Sequence, residues 1–173
     1  MQKKLILYSS TDGQTLKICE RIKTSFPSDL EIDIVSLQDI KSVELNNYDL
    51  IILGASIRYG KHKPEVYNFV STNMGFLDTK KTAFFSVNAV ARKENKNTPK
   101  LNPYVIKFLK QTNWKPDYIE VFAGKINYPK YNLIDKYMIR FIMWMTKGPT
   151  DIKNTYEFTD WGAVDKFAMK VVS

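Results

Sequence analysis

The sequence predicts an α/β protein built on a doubly wound, mostly parallel sheet. Three observations carry this. Leu5-Ile6-Leu7-Tyr8, Asp49-Leu50-Ile51-Ile52-Leu53 and Thr82-Ala83-Phe84-Phe85-Ser86-Val87 are short, near-continuous apolar runs of strand length, as strands covered on both faces require. Segments with helical spacing of apolar residues alternate with them. The junction after the first run, Ser9-Ser10-Thr11-Asp12-Gly13-Gln14-Thr15, is a strand-to-helix turn with four hydroxyls and one glycine.

The elements follow in order. Lys4–Tyr8 is the first strand. A helix runs from Gly13 to about Phe26, with Leu16, Ile18, Cys19, Ile22 and Phe26 on or near one face, and Pro27-Ser28-Asp29 ends it. Leu30–Val35 alternates Ile32 and Ile34 against Glu31 and Asp33, which suits a strand at a sheet edge. Asp39–Asn47 is a polar connection, Asp49–Leu53 a central strand, and Ala55–Pro64 a loop. Pro64 fits the first turn of a helix ending near Met74. After the strand Thr82–Val87 comes a polar, basic loop, Asn88–Pro99. Next are a helix over Lys100–Thr112 with Val105, Phe108 and Leu109 inward, a strand at Tyr118–Ala123, and a closing helix over Asp160–Val172. The 173 residues fit one domain with a sizeable core, and 44% hydrophobic content argues against disorder.

One cysteine, Cys19, excludes a disulfide framework and favours a reducing compartment. With His62 as the single histidine, a histidine-based metal site is not expected. The apolar run after Met1-Gln2-Lys3-Lys4 is too short for a signal peptide, and no apolar stretch reaches transmembrane length, so cytoplasmic residence is expected. The net charge of +8 is focused. Arg92, Lys93, Lys96 and Lys100 stand against Glu94, and Lys125, Lys130, Lys136, Arg140 and Lys147 against Asp135, so these two segments carry nearly all of it. Such a patch suits a polyanionic ligand, a nucleic acid or an anionic membrane surface.

In a doubly wound sheet, ligands bind at the carboxyl ends of the strands. Three segments leave those ends. Ser9–Thr15 offers backbone N–H groups, hydroxyls and the positive end of a helix dipole, which a phosphate dianion needs; the same residues would also serve as an ordinary helix cap. Ala55-Ser56-Ile57-Arg58-Tyr59-Gly60 and Asn88-Ala89-Val90-Ala91-Arg92-Lys93 mix small, aromatic and amide residues that would suit the edge and face of a flat mononucleotide. The first turn lacks the G-x-G-x-x-G pattern of a dinucleotide loop.

The chain resembles the flavodoxin-like family and, within it, the menaquinone-dependent protoporphyrinogen oxidase (protoporphyrinogen IX dehydrogenase, quinone) group. Tyr8–Thr15, Gly54–Gly60, Phe85–Lys93 and Thr159-Asp160-Trp161 carry the resemblance, which covers essentially the whole chain. It implies a flavodoxin-like five-stranded parallel sheet of order 2-1-3-4-5 and FMN as cofactor. Ser9, Thr11, Asp12, Gly13, Gln14 and Thr15 would cradle the FMN phosphate, with the Asp12 carboxylate turned away. Ala55, Ser56, Ile57, Arg58, Tyr59 and Gly60 would flank the ring from one side, and Ser86, Val87, Asn88, Ala89, Val90, Ala91 and Arg92 from the other. The implied reaction is oxidation of protoporphyrinogen IX to protoporphyrin IX in haem biosynthesis. Hydrogen would leave the macrocycle as a hydride to flavin N5 plus a proton, and a membrane quinone (menaquinone or ubiquinone) would take the electrons. Arg58, Arg92, Lys93, Lys130 and Arg140 are candidate partners for the substrate carboxylates, and no side chain stands out as a general base.

Between the fifth strand and the last helix lies a basic insertion, about 125–155. Leu133, Ile134, Tyr137, Met138, Phe141, Ile142 and Met145 recur there at helical spacing among Lys136 and Arg140. A helix over 133–146 would be about 20 Å long, too short to span a bilayer. It could pack on the core, cover a substrate, or lie on an anionic membrane at the inner face of the cell. Two other functions remain open: an electron carrier without a substrate of its own, disfavoured because such carriers are usually acidic, and a cofactor-free nucleic-acid module, the less favoured use of the basic patch.

Overall fold

The computed structural model describes residues 3–173; Met1 and Gln2, read above for a leader, lie outside the described residues. Five parallel strands form the main sheet: β1 (Lys3–Ser9), β2 (Glu31–Ser36), β3 (Tyr48–Arg58), β5 (Lys81–Asn88) and β6 (Tyr118–Ala123). Their spatial order is β2-β1-β3-β5-β6, the doubly wound order expected, with β2 at one edge. A short strand, β4 (Lys61–His62), pairs antiparallel with the end of β3.

Alternation along the strands divides the core into two layers. Ile6, Leu50, Ile52, Phe85 and Phe122 face α1 (Gln14–Ser25) and α5 (Trp161–Val172), where Ile18, Ile22, Val164, Phe167 and Val171 are buried. Leu5, Leu7, Ile51, Leu53 and Phe84 face α2 (Pro64–Leu77) and α3 (Pro103–Thr112), meeting Val66, Phe69, Val70 and Phe108. Gly54 lies against Phe85 in the first layer, where a Cβ would come to 2.2 Å from the Phe85 ring. Cys19 is fully buried in the first layer.

Several boundaries differ from the expectation. β3 runs five residues past Leu53, so Ala55–Arg58 is strand rather than loop. The chain reverses at Tyr59 (φ 51°) and Gly60 (φ 78°), both left-handed, as a two-residue hairpin turn needs. α2 gains a turn because Leu77 is buried in the core. α3 begins at Pro103, not Lys100: Asn102 accepts from the N–H groups of Tyr104 and Val105, and proline fits the first helical position. The segment after β5 forms 3₁₀ turns at Ala89–Arg92 and Glu94–Lys96.

The insertion has its own framework. β7 (Lys125–Asn127) and β8 (Thr155–Glu157) pair antiparallel and clip its two ends together. Between them lies α4 (Leu133–Met145), close to the helix expected. Ile126, Tyr128 and Met143 form a small satellite core, and the buried Tyr128 hydroxyl donates to the Pro149 carbonyl at 2.8 Å. Among the described residues no helix is long and apolar enough to cross a membrane, and no group of residues has metal-ligand geometry.

Candidate functional site

A cleft opens at the carboxyl ends of β1, β3 and β5, the position that this sheet topology favours. Its floor is the turn between β1 and α1. One side is the end of β3 and its hairpin, another the turn after β5, and α4 with the β6–β7 corner forms the last wall.

The floor is suited to an anion. Gly13 enters α1 in a left-handed conformation (φ 82°), and its N–H is taken by Ser10 Oγ at 2.9 Å. No side chain caps the α1 N-terminus and its first turn carries no acid, so the dipole's positive end is left uncompensated there. Thr15 is fully buried, yet among the described residues its Oγ1 has no hydrogen-bond partner, and Thr15 lines the cleft. A buried hydroxyl left without a partner costs free energy unless a ligand supplies one. Beneath the turn, Lys63 Nζ donates to the Ser10 carbonyl at 2.9 Å. The Asp12 carboxylate points to Arg58 Nη1 at 3.5 Å and accepts from the Tyr131 hydroxyl at 3.3 Å. Burial first, and then the Asp12 charge, push the Tyr131 phenol up to about 12, so it remains a donor.

The sides are mostly apolar. Ile57, Val87, Val90, Ile126, Ile139, Ile142 and Met143 line them, with Tyr59, Tyr104 and Tyr131 supplying aromatic surface. The turn after β5 is held from behind by buried amides. Asn88 Oδ1 accepts from Ala91 N–H and Asn102 Nδ2 (both 3.1 Å), and Asn88 Nδ2 donates to Ser86 Oγ at 3.2 Å. Ser86 Oγ lies 3.0 Å from His62 Nε2. His62 sits among Tyr67, Phe84 and Phe108, outside the cleft, and burial pushes its pKa down to about 3. A neutral, enclosed imidazole of this kind buttresses the turn and has no access to a ligand in the cleft.

The structure brings together much, but not all, of what the sequence nominated. Thr11, Asp12, Gln14, Thr15, Ser56, Ile57, Arg58, Tyr59, Gly60, Val87, Asn88, Ala89 and Val90 line the cleft. Ser9, Gly13, Ala55, Ser86, Ala91 and Arg92 do not. Ser9 Oγ is spent on Glu65 (2.5 Å), Ala55 is core, and Ser86 belongs to the buried network. Arg92 donates to the Ala89 carbonyl (2.7 Å) and to the Thr146 carbonyl and hydroxyl (2.9 Å each), fastening the turn to the end of α4. Gln14 borders the cleft, but its amide donates to Thr159 (2.9 Å) and Glu157 (3.2 Å). Of the five cations nominated for carboxylate binding, Arg58 alone lines the cleft among the described residues; Lys93 is half-buried outside that lining, and Lys130 and Arg140 face solvent. Sequence reasoning missed Tyr104, Gly124, Lys125, Ile126, Tyr131, Ile139 and Met143. The sole signal was the spacing of Ile139 and Met143, one turn apart on the side of α4 opposite its conspicuous stripe.

A doubly wound sheet of this order, with an anion-binding first turn and an apolar slot at its switch point, defines a mononucleotide-binding flavodoxin fold. The chain belongs to the Flavodoxin domain family, whose match runs over residues 5–153. It is 43% identical over 168 residues to the protoporphyrinogen IX dehydrogenase [quinone] of Leishmania major, covering 96% of this chain and 73% of that one. It is 39% identical over 170 residues to the protein of the same name from Escherichia coli strain K12, covering 98% and 94%. Among solved structures, oxidised flavodoxin 1 from Bacillus cereus superposes with a TM-score of 0.55 at 18% identity, covering 99% of this chain and 97% of that one, which supports the fold.

Proposed function

We propose that this chain is an FMN-dependent oxidoreductase that oxidises protoporphyrinogen IX to protoporphyrin IX, a step of haem biosynthesis, and passes the electrons to a membrane quinone. The observation that carries the reading is the unpartnered Thr15 hydroxyl at the uncapped start of α1, opening into an apolar, tyrosine-lined cleft. The full-length similarity to two proteins named for this reaction selects it among flavodoxin-fold chemistries.

The residues present fit FMN. Ser10, Thr11, Thr15 and the first N–H groups of α1 would hold the phosphate, and Ser56–Gly60 and Val87–Val90 would border the ring. Bound FMN supplies the redox chemistry; the protein orients it and excludes water. Arg58 lines the cleft, and a substrate carboxylate would meet its guanidinium in competition with Asp135 and Asp12. The Tyr59, Tyr104 and Tyr131 rings offer apolar surface to a macrocycle, and the Tyr131 hydroxyl remains protonated at physiological pH. A lipid-soluble acceptor, menaquinone or ubiquinone, would place the chain peripherally at the inner face of the cell membrane.

The test is a visible spectrum of the purified protein, followed by porphyrin fluorescence after adding protoporphyrinogen IX and a quinone. A flavin spectrum with quinone-dependent porphyrin formation above autoxidation is the expected result. A flavin spectrum without turnover would leave an electron carrier, and failure to bind added FMN would overturn the reading.

A further inference from the structure

α4 has two apolar faces and only one is covered. Ile139, Ile142 and Met143 point into the cleft wall. On the opposite side Leu133, Ile134, Tyr137, Met138, Phe141, Trp144 and Met145 are all exposed, with Leu133, Ile134 and Trp144 about 70% exposed or more (71%, 78% and 69%). These are the residues of the stripe conspicuous in the sequence, with Trp144 added and without Ile142, which turns to the cleft, and they face away from the protein. A continuous apolar strip this large on a folded surface marks an interaction site.

The surroundings of the strip select its partner. Lys136 and Arg140, one helical turn apart, follow one edge of the strip, and Lys130 and Lys147 flank its two ends. The one acid in the helix, Asp135, is turned inward to Arg58 and Tyr59. Arg140 shares a shallow surface pocket with Tyr137, Phe141, Trp144 and Thr150, and the Phe141 and Trp144 ring centroids lie 6.0 Å apart. Aromatic and aliphatic groups on one face, bordered by cations, are the composition of helices that lie in the headgroup region of an anionic bilayer. A second copy of this chain would bring another positive surface against the first, since the net charge is +8.

We infer that the outer face of α4 docks on an anionic phospholipid bilayer, with Leu133, Phe141 and Trp144 entering the interface and Arg140 taking a headgroup phosphate. This rests on the membrane-quinone reading above and gives it a surface. The same helix would then touch lipid on one side and wall the cleft on the other, so that an apolar acceptor leaving the bilayer has a single helix to pass.

The experiment is sedimentation of the flavin-loaded protein with vesicles of phosphatidylcholine alone or mixed with phosphatidylglycerol. Selective sedimentation with the anionic vesicles, weakened by added salt, is expected. Trp144→Glu and Leu133→Glu should abolish it without changing the thermal midpoint, and Arg140→Glu should weaken it by about fivefold or more, the scale of one basic residue at an anionic surface. Equal partitioning of wild type and Trp144→Glu, or a dimer in solution that Trp144→Glu splits, would overturn the inference. Turnover with a water-soluble quinone in lipid-free buffer is the separate readout. Its loss in the wild type refutes the oxidase reading while leaving the vesicle result interpretable, and its retention in Trp144→Glu alongside lost sedimentation assigns this face to docking.

Discussion

Arg58 and Asp135 form an ion pair that joins the end of β3 to the first turn of α4. Tyr59 donates to the same carboxylate, and the Asn132 amide, whose own oxygen caps the helix, also reaches it at 2.9 Å. Arg58 turns at the same time toward Asp12. The phosphate turn, the β3 hairpin and α4 are thereby tied through one guanidinium at the mouth of the cleft.

Asp135→Asn should loosen this junction. With both partners partly exposed, the loss of stability is expected to be modest, about 1 kcal/mol. The larger effect should fall on the site: the KM for the macrocycle rises several-fold while the flavin spectrum persists, and proteolysis within α4 becomes faster. Steady-state kinetics together with limited proteolysis checks it.

Thr15→Val removes a buried hydroxyl that lacks a hydrogen-bond partner among the described residues while keeping the side chain's shape. Unfolding of the cofactor-free protein should therefore shift slightly upward, by about 1 kcal/mol, and FMN affinity should fall by about tenfold. Opposite signs in the two measurements, thermal unfolding and fluorescence titration, are the expected signature; a drop in both would make Thr15 a packing residue.

His62 sets an acid limit. Its pKa is about 3 in the folded protein, held down by burial, against an ordinary value of 6.5. Between these values the unfolded chain binds a proton that the native chain refuses, so stability falls as pH drops from about 6.5 toward 3, at up to about 1.4 kcal/mol per pH unit. Above that window the group exerts no pH dependence. His62→Phe should flatten this part of the stability curve, measured by urea unfolding across pH.

Gly54→Ala would drive a methyl group to 2.2 Å from the Phe85 ring in the first core layer. A loss of about 1–3 kcal/mol is expected from overpacking, partly recovered in the Gly54→Ala/Phe85→Leu double variant. Urea midpoints of the single and double variants decide it.

The sheet was legible because its strands are apolar runs separated by helical periods, and Leu5, Leu7, Ile51 and Leu53 need no distant information to be recognised as core. The far half of β3 was not: Ala55-Ser56-Ile57-Arg58 has no continuous apolar pattern, and Tyr59-Gly60 lacks the asparagine or aspartate that usually announces a two-residue hairpin. The phosphate turn was visible as a cluster of hydroxyls, but which of them remain free depends on partners far along the chain. Ser9 meets Glu65 and Gln14 meets Thr159, whereas Thr15 Oγ1 has no hydrogen-bond partner among the described residues. The α4 stripe was legible as helical, yet periodicity alone cannot say which face a helix turns inward. Of the three α4 residues that wall the cleft, Ile142 was read as part of the larger stripe, and Ile139 and Met143 were hidden by it.

The clip formed by β7 and β8 gives the insertion a further property. Asn127 and Thr155 stand opposite one another in the ladder, so everything between them leaves and returns at one point. Topologically the α4 excursion is a bracketed clause in the chain: closing it with a tight turn would leave the path from β6 to α5 uninterrupted. A lineage could therefore acquire, exchange or discard the cleft's outer wall in a single event, and an engineer could transplant it onto another doubly wound sheet at the same seam.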